Sequence, residues 1–160
     1  MITANALFQS DLSRNKSSYK SSRIYLWCYR RFQFGFGGMK GIFARIGIIF
    51  FKFLGVHIAT KSIGGGLRLP HLNGIFIHVN AVLGENCTIF QQVTIGVNEH
   101  RNGRKPPRLG NRVYVGAGAK LIGDICIGDD VRIGANAVVT KDVPPRMTVV
   151  GYNRVFKNRE

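Results

Sequence analysis

From about residue 57 onward, apolar positions recur every six residues. The units read LGENCT (83–88), IFQQVT (89–94), LGNRVY (109–114) and VGAGAK (115–120), then LIGDIC (121–126), IGDDVR (127–132), IGANAV (133–138) and VTKDVP (139–144) without a gap. Each begins with an aliphatic residue, often has Gly second, and carries a small or β-branched residue fifth. A period of six fits neither the 3.6 of a helix nor the 2 of a single strand. Three such units make an 18-residue coil of a triangular prism, each unit giving one short strand and one corner, and neighbouring coils bury a shared core. First and fifth positions point inward, so Val115 is predicted to stack under Ile133 and Leu121 under Val139. Gly at the second position is expected to serve corners of unusual φ and ψ.

Two places break the count. In LPHLNGIFIH (69–78) the frame running back from Leu83 and the frame running forward from Ile63 disagree by two residues, and His71 sits where they meet. Leu109 follows Ile95 by 14 positions, two more than two units, so GVNEHRNGRKPPR reads as an excursion from the prism. Pro106 and Pro107 suit such a loop because they give no strand donor. A long loop on a rigid scaffold is commonly functional.

The N-terminal third follows a different pattern. QSDLSRN offers a polar helix start, SSRIYLWCYRRFQ mixes aromatic and basic positions, and MKGIFARIGIIFFKFLGV is apolar apart from its cations. Arg45 and Lys52 interrupt that last run, which falls short of the ~20 apolar residues of a membrane span. It reads as a helix packed on its own domain or a partner, or as a helix lying on a membrane surface. The expected organisation is a helical region over 1–56, the repeat over 57–153 with an excursion at 96–108, and a C-terminal tail at 154–160.

Charge and cysteines narrow the setting. The formal net charge is +15; residues 1–56 hold nine Lys/Arg against the single acid Asp11, and residues 57–160 hold fourteen against seven. Such a field draws polyanions: nucleic acid, anionic lipid or a phosphorylated small molecule. Cys28, Cys87 and Cys126 are odd in number and form no CxxC pair, which suits a reducing cytosol better than a disulfide framework. The first 22 residues lack the apolar core of a secretory signal. A cytoplasmic protein, with contact to a membrane through its basic N-terminal region as an option, is the expectation.

The stretches IGGGLRLPHLNGIFIHVNAVLGENCTIFQQVTIG, VYVGAGAKLIGDICIGDDVRIGANAVVTKDVPP and VVGYNRV resemble the hexapeptide-repeat acyltransferases, and within them the serine acetyltransferase branch and its short relatives in polysaccharide gene clusters. The resemblance spans roughly residues 55–153. It implies a mainly β fold, a left-handed parallel β-helix preceded by an α-helical N-terminal region, assembled as a homotrimer with active sites between neighbouring prisms. It implies an acetyl-CoA-dependent O-acetyltransferase, with serine as acceptor as in cysteine biosynthesis, or a sugar hydroxyl of a surface glycan. On the family motif His71 falls on the catalytic histidine, and a neutral imidazole is suited to take the proton of an attacking hydroxyl. Ala117 and Ala135 match positions that meet the pantetheine arm of CoA. Lys120 and Arg132 are candidates for the cofactor's phosphates. Pro70, Asn73 and Lys105 fall on the acceptor side, and Arg101, Arg104, Lys105 and Arg108 are available to cover the groove. No metal is expected.

Departures from the family pattern concentrate on the acceptor side. Pro70 stands where the serine-specific branch has an Asp, and Val56, beside His57, where it has a second Asp that orients the histidine. Lys105 and Pro106 replace an Arg-His pair. Two other classes stay in view. A zinc-dependent carbonic anhydrase type needs three clustered histidines, and His57, His71, His78 and His100 show no such spacing. A basic binder of nucleic acid or anionic membrane would use the aromatic and arginine residues of YLWCYRRFQF, although no recognised nucleic-acid module, and hence no specific nucleic-acid partner, is indicated. Cys87 reads as a small core residue, and none of the cysteines has a base partner for nucleophilic chemistry.

Overall fold

The computed structural model describes residues 3–16, 19–35, 38–100 and 105–157. Three helices come first: α1 (Ala4–Arg14), α2 (Lys20–Gln33) and α3 (Met39–Phe53). Fourteen short strands then climb in rungs. The first rung holds β1 (Val56–Ile58) and β2 (Ser62–Ile63), and the second β3 (Ile75–Ile77), β4 (Val82–Leu83) and β5 (Thr88–Ile89). The third holds β6 (Thr94–Gly96), β7 (Arg108–Leu109) and β8 (Tyr114–Val115); the fourth β9 (Lys120–Ile122), β10 (Cys126–Ile127) and β11 (Arg132–Ile133); the last β12 (Val138–Val139), β13 (Met147–Val150) and β14 (Arg154–Lys157). Strands pair in parallel with their counterparts on the next rung, giving three sheets: β1-β3-β6-β9-β12, β2-β4-β7-β10 and β5-β8-β11-β13, the last extended by β14. These are the three faces of the prism.

The hexad reading predicts the register. Val115 pairs with Ile133 and Leu121 with Val139. The first and fifth residues Leu83, Cys87, Ile89, Val93, Val131 and Ala137 are all at most 2% exposed. The role expected of the second-position glycines is different, however. Left-handed φ falls on the fourth position of the unit, at Asn86, Gln92, Arg112, Gly118, Asp130 and Asn136. Asn and Asp tolerate that region better than most side chains. Second-position glycines serve close approach: a Cβ on Gly116 would lie 2.7 Å from the backbone nitrogen of Ala135, and one on Gly84 would lie 2.6 Å from the carbonyl of Gly110. Gly116→Ala therefore forces two rungs apart and is expected to cost about 1–3 kcal/mol, measured as a drop in the urea midpoint.

Three boundaries differ from expectation. QSDLSRN forms the second half of α1 and its C-cap, Asn15, while the N-cap is Thr3, its hydroxyl accepting from the Ala6 N–H. The excursion set at 96–108 loses both ends to strands, because β6 includes Gly96 and β7 begins at Arg108. It is also longer in effect than the count suggested: Leu83 pairs with Leu109 and Ile95 with Leu121, so one unit, not two, is replaced by the 14-residue step. The region expected as a tail from 154 folds back instead, β14 pairing antiparallel with β13. That hairpin covers the outer edge of β13 at the top of its face.

The bottom rung is closed by side chains. With no coil beneath it, its backbone groups need other partners. Asp11 accepts from the Leu67 N–H, Asn15 bonds both the Leu67 carbonyl and the Leu69 N–H, and Ser22 donates to the Leu69 carbonyl. Arg30 donates to the carbonyls of Ile63 and Gly64, Tyr29 to that of Thr60, and Arg14 to that of Gly66. Asp11 and Arg30 also pair with each other at 2.7 and 3.0 Å, both essentially without solvent exposure. Burial pushes the Asp11 carboxyl above its ordinary range, against the pull of the Arg30 guanidinium.

Candidate active site

The two-residue frame slip has a definite place. Leu69 occupies the rung position of Ile89, because Arg68 bridges Thr88, and Ile77 pairs with Ile95. Asn73 lies beneath Gln91, since the Gln92 N–H donates to the Asn73 carbonyl at 2.9 Å as the Gly118 N–H does to Gln91. Pro70 thus matches Phe90, Asn73 matches Gln91, and His71 and Leu72 are the insertion. Leu72 packs against the core; Pro70 is buried and His71 and Asn73 are exposed. The inserted pair turns one residue in and one out, which is how the imidazole leaves the inward ladder.

His71 rests between two rings. Tyr19, at the start of α2, stands edge-on with centroids 6.5 Å apart, and Phe90 lies 6.4 Å away. Neither contact was legible in the sequence. Tyr19 is 52 positions away, and Phe90 occupies a second position that the template leaves to glycine. Gln91 was also missed; its side-chain oxygen is buried without a hydrogen-bond partner, one rung above Asn73. Only its place on the same edge as His71 gives it interest.

That edge carries the CoA candidates. Ala117 and Ala135 stack on successive rungs, the Asn136 N–H donating to the Ala117 carbonyl at 2.8 Å. At ~4.8 Å per rung they stand roughly 10 and 14 Å from the His71 level. Lys120 flanks the edge on the β6-β9-β12 face, where its ammonium donates to the Gln92 carbonyl at 2.6 Å, and Arg132 is exposed on the β8-β11-β13 face. Small residues thus run up the corner with a cation on either side.

Lys105 is not brought to this edge. It lies at the opposite corner, between the β6 and β7 faces, 3.8 Å from Asp124, to which Arg108 also pairs at 3.4 Å. Arg101 and Arg104 fall outside the described residues. Val56 is 1% exposed and paired with Ile75 in the core, while His57 faces outward beside Phe76. No carboxylate hydrogen-bonds His71 among the described residues. Glu85 is on another corner, its carbonyl accepting from Arg112, and His78 accepts from the Asn80 N–H through Nδ1 at 3.2 Å. Burial pushes the Cys87 thiol up to about 11, which keeps it protonated at neutral pH, and raises Cys28 also.

Three stacked parallel faces and a repeat-bearing corner define a class, and the comparisons agree with it. The family model described as Bacterial transferase hexapeptide (six repeats) matches residues 106–141. The serine acetyltransferase of Helicobacter pylori is 50% identical over 96 residues, which are 60% of this chain and 56% of that protein. The one of Mycobacterium tuberculosis is 47% identical over 89 residues, 56% of this chain and 39% of that protein. The solved structure of Neisseria gonorrhoeae serine acetyltransferase in complex with serine superposes with TM-score 0.70 and 30% identity, covering 92% of this chain and 66% of that one. Soybean serine acetyltransferase, as the apoenzyme, gives TM-score 0.75 and 29% identity over 96% of this chain and 69% of that one. The fold is the left-handed parallel β-helix of the hexapeptide-repeat transferases. Within that class the relatives it resembles are serine acetyltransferases, and the chain spans little more than half the length of the Helicobacter relative.

Proposed function

We propose that this chain is an acetyl-CoA-dependent O-acetyltransferase of the serine O-acetyltransferase type, with His71 as general base. The observation that carries the reading is the insertion that turns His71 out onto the edge bearing Ala117 and Ala135. The neutral imidazole takes the acceptor's hydroxyl proton as its oxygen attacks the thioester carbonyl. The tetrahedral intermediate collapses with loss of the CoA thiolate, which takes that proton back from the imidazolium. An acetyl ester and free CoA thiol result, and no covalent enzyme intermediate is required when both substrates share one groove. The side chains of Ala117 and Ala135 are small enough for an extended arm to lie close. Lys120 and Arg132 are suited to its phosphates.

Lys105 and His71 occupy different corners of one prism, so a site using both forms only between two chains; this supports a homotrimer. Acetyl-CoA and unpaired thiols are both at home in a reducing, cytoplasmic compartment. Serine is the acceptor favoured by the relatives. A sugar hydroxyl is the second reading, favoured by Pro70 and the buried Val56, which put no carboxylate beside His71 in the chain, and by the pairing of Lys105 with Asp124. Thiol release from acetyl-CoA across a panel of serine, homoserine and glycan-derived sugars decides between them. Turnover with serine above every sugar is the expected outcome; a sugar at least tenfold better selects the second reading, and no release with any acceptor overturns the assignment.

A further inference from the structure

The outward face of α3 is apolar where a water-facing helix would be charged. Gly41, Ala44, Ile48 and Phe51 face the protein, Phe51 standing edge-on to Tyr25. On a 3.6-residue wheel Met39, Ile42, Ile46, Ile49, Phe50 and Phe53 share the opposite face. Each is more than half exposed, from 54% at Ile49 to 87% at Phe53. Arg45 and Lys52 run along one flank of that face and Lys40 along the other, all exposed. Arg45 and Lys52 also border an apolar cleft with Phe32, Ile48, Ile49 and Ile58. Contiguous apolar surface of this kind on a protein marks an interaction site.

Charge selects the occupant. After Asp11 no acidic residue occurs until Glu85, while eleven lysines and arginines fall between them. A second copy of the helix would set these cations against one another, and a neutral partner would leave them without counter-charge. An anionic bilayer accepts both the apolar face and its basic flanks. Among the described residues no helix is long and apolar enough to cross a membrane. At 1.5 Å per residue α3 is roughly 22 Å long, against a hydrocarbon core of about 30 Å. We propose that α3 is a membrane-surface anchor that lies in the plane of an anionic lipid bilayer, its apolar face at the headgroup–acyl boundary.

The test is flotation of the full chain with phosphatidylglycerol–phosphatidylethanolamine vesicles and with pure phosphatidylcholine vesicles, and it reads binding alone, whatever the reaction. Binding to the anionic vesicles at least tenfold tighter than to phosphatidylcholine is expected. Arg45→Ser with Lys52→Ser should weaken it by roughly fivefold per cation. Ile46→Glu with Phe50→Glu should abolish it at an unchanged melting temperature, because both side chains are exposed. The proposal is overturned if the parent does not float, or if the glutamate variant floats as well as the parent. It is also overturned if, without lipid, light scattering shows the glutamate substitutions reducing the mass of the assembly, which would give the face to a second copy.

Discussion

His71→Ala is expected to lower acetyl-CoA thiol release by about 10²–10⁴-fold, the usual contribution of a positioned general base. The melting temperature should hardly move, because the ring is exposed and lies at the corner, outside the inward ladder. Its contacts are edge-on and tilted aromatic ones to Tyr19 and Phe90 rather than core packing. His71→Asn keeps a polar side chain of similar reach but cannot accept a proton at neutral pH, so it should be as inactive as the alanine variant. Single-turnover thiol release with saturating acetyl-CoA checks both. A rate within threefold of the parent in either variant would remove His71 from the chemistry and leave the insertion as a structural kink.

Asp11→Ala is expected to destabilise the protein by about 3–5 kcal/mol, the cost of leaving one partner of a buried ion pair uncompensated. The change strands the Arg30 guanidinium at 1% exposure and removes the acceptor for the Leu67 N–H. Arg30→Met loses the donors to Ile63 and Gly64 as well, so it should cost at least as much. Because the two side chains share one network, the double variant should cost clearly less than the two single losses added together. Urea unfolding of the three variants measures this directly. A single-variant loss under 1 kcal/mol would mean that the pair contributes little to closing the first rung. Activity should fall with stability here: Asn15 and Ser22 hold Leu69, two residues before His71, so a loosened cap reaches the base itself.

The prism was legible in the sequence because each rung repeats one local rule. An aliphatic residue at the first position and a small one at the fifth must point inward wherever the unit occurs, and the register of Val115 with Ile133 follows from spacing alone. The frame slip at His71 was legible for the same reason, since a deviation is visible only against a regular count. Glycine at the second position was visible too, but its cause was not. The clash it avoids is with the backbone 18 residues on, and a linear pattern does not reveal how near that backbone comes.

The excursion and both ends of the solenoid were harder to read. Spacing could not tell a 14-residue step in place of one unit from a step in place of two, because units on all three faces share one template and do not say which face follows the loop; strand pairing resolved it. The sequence by itself determined the repeat, the inward ladder, the helical start and the histidine that breaks the frame, because these depend on residues near one another or on a fixed period. Tertiary structure alone decided that Asp11, Asn15, Ser22 and Arg30 close the bottom rung, that Tyr19 and Phe90 flank His71, and that Lys105 stands at another corner. Those contacts join segments with no shared period, and only the folded chain sets the distance between them.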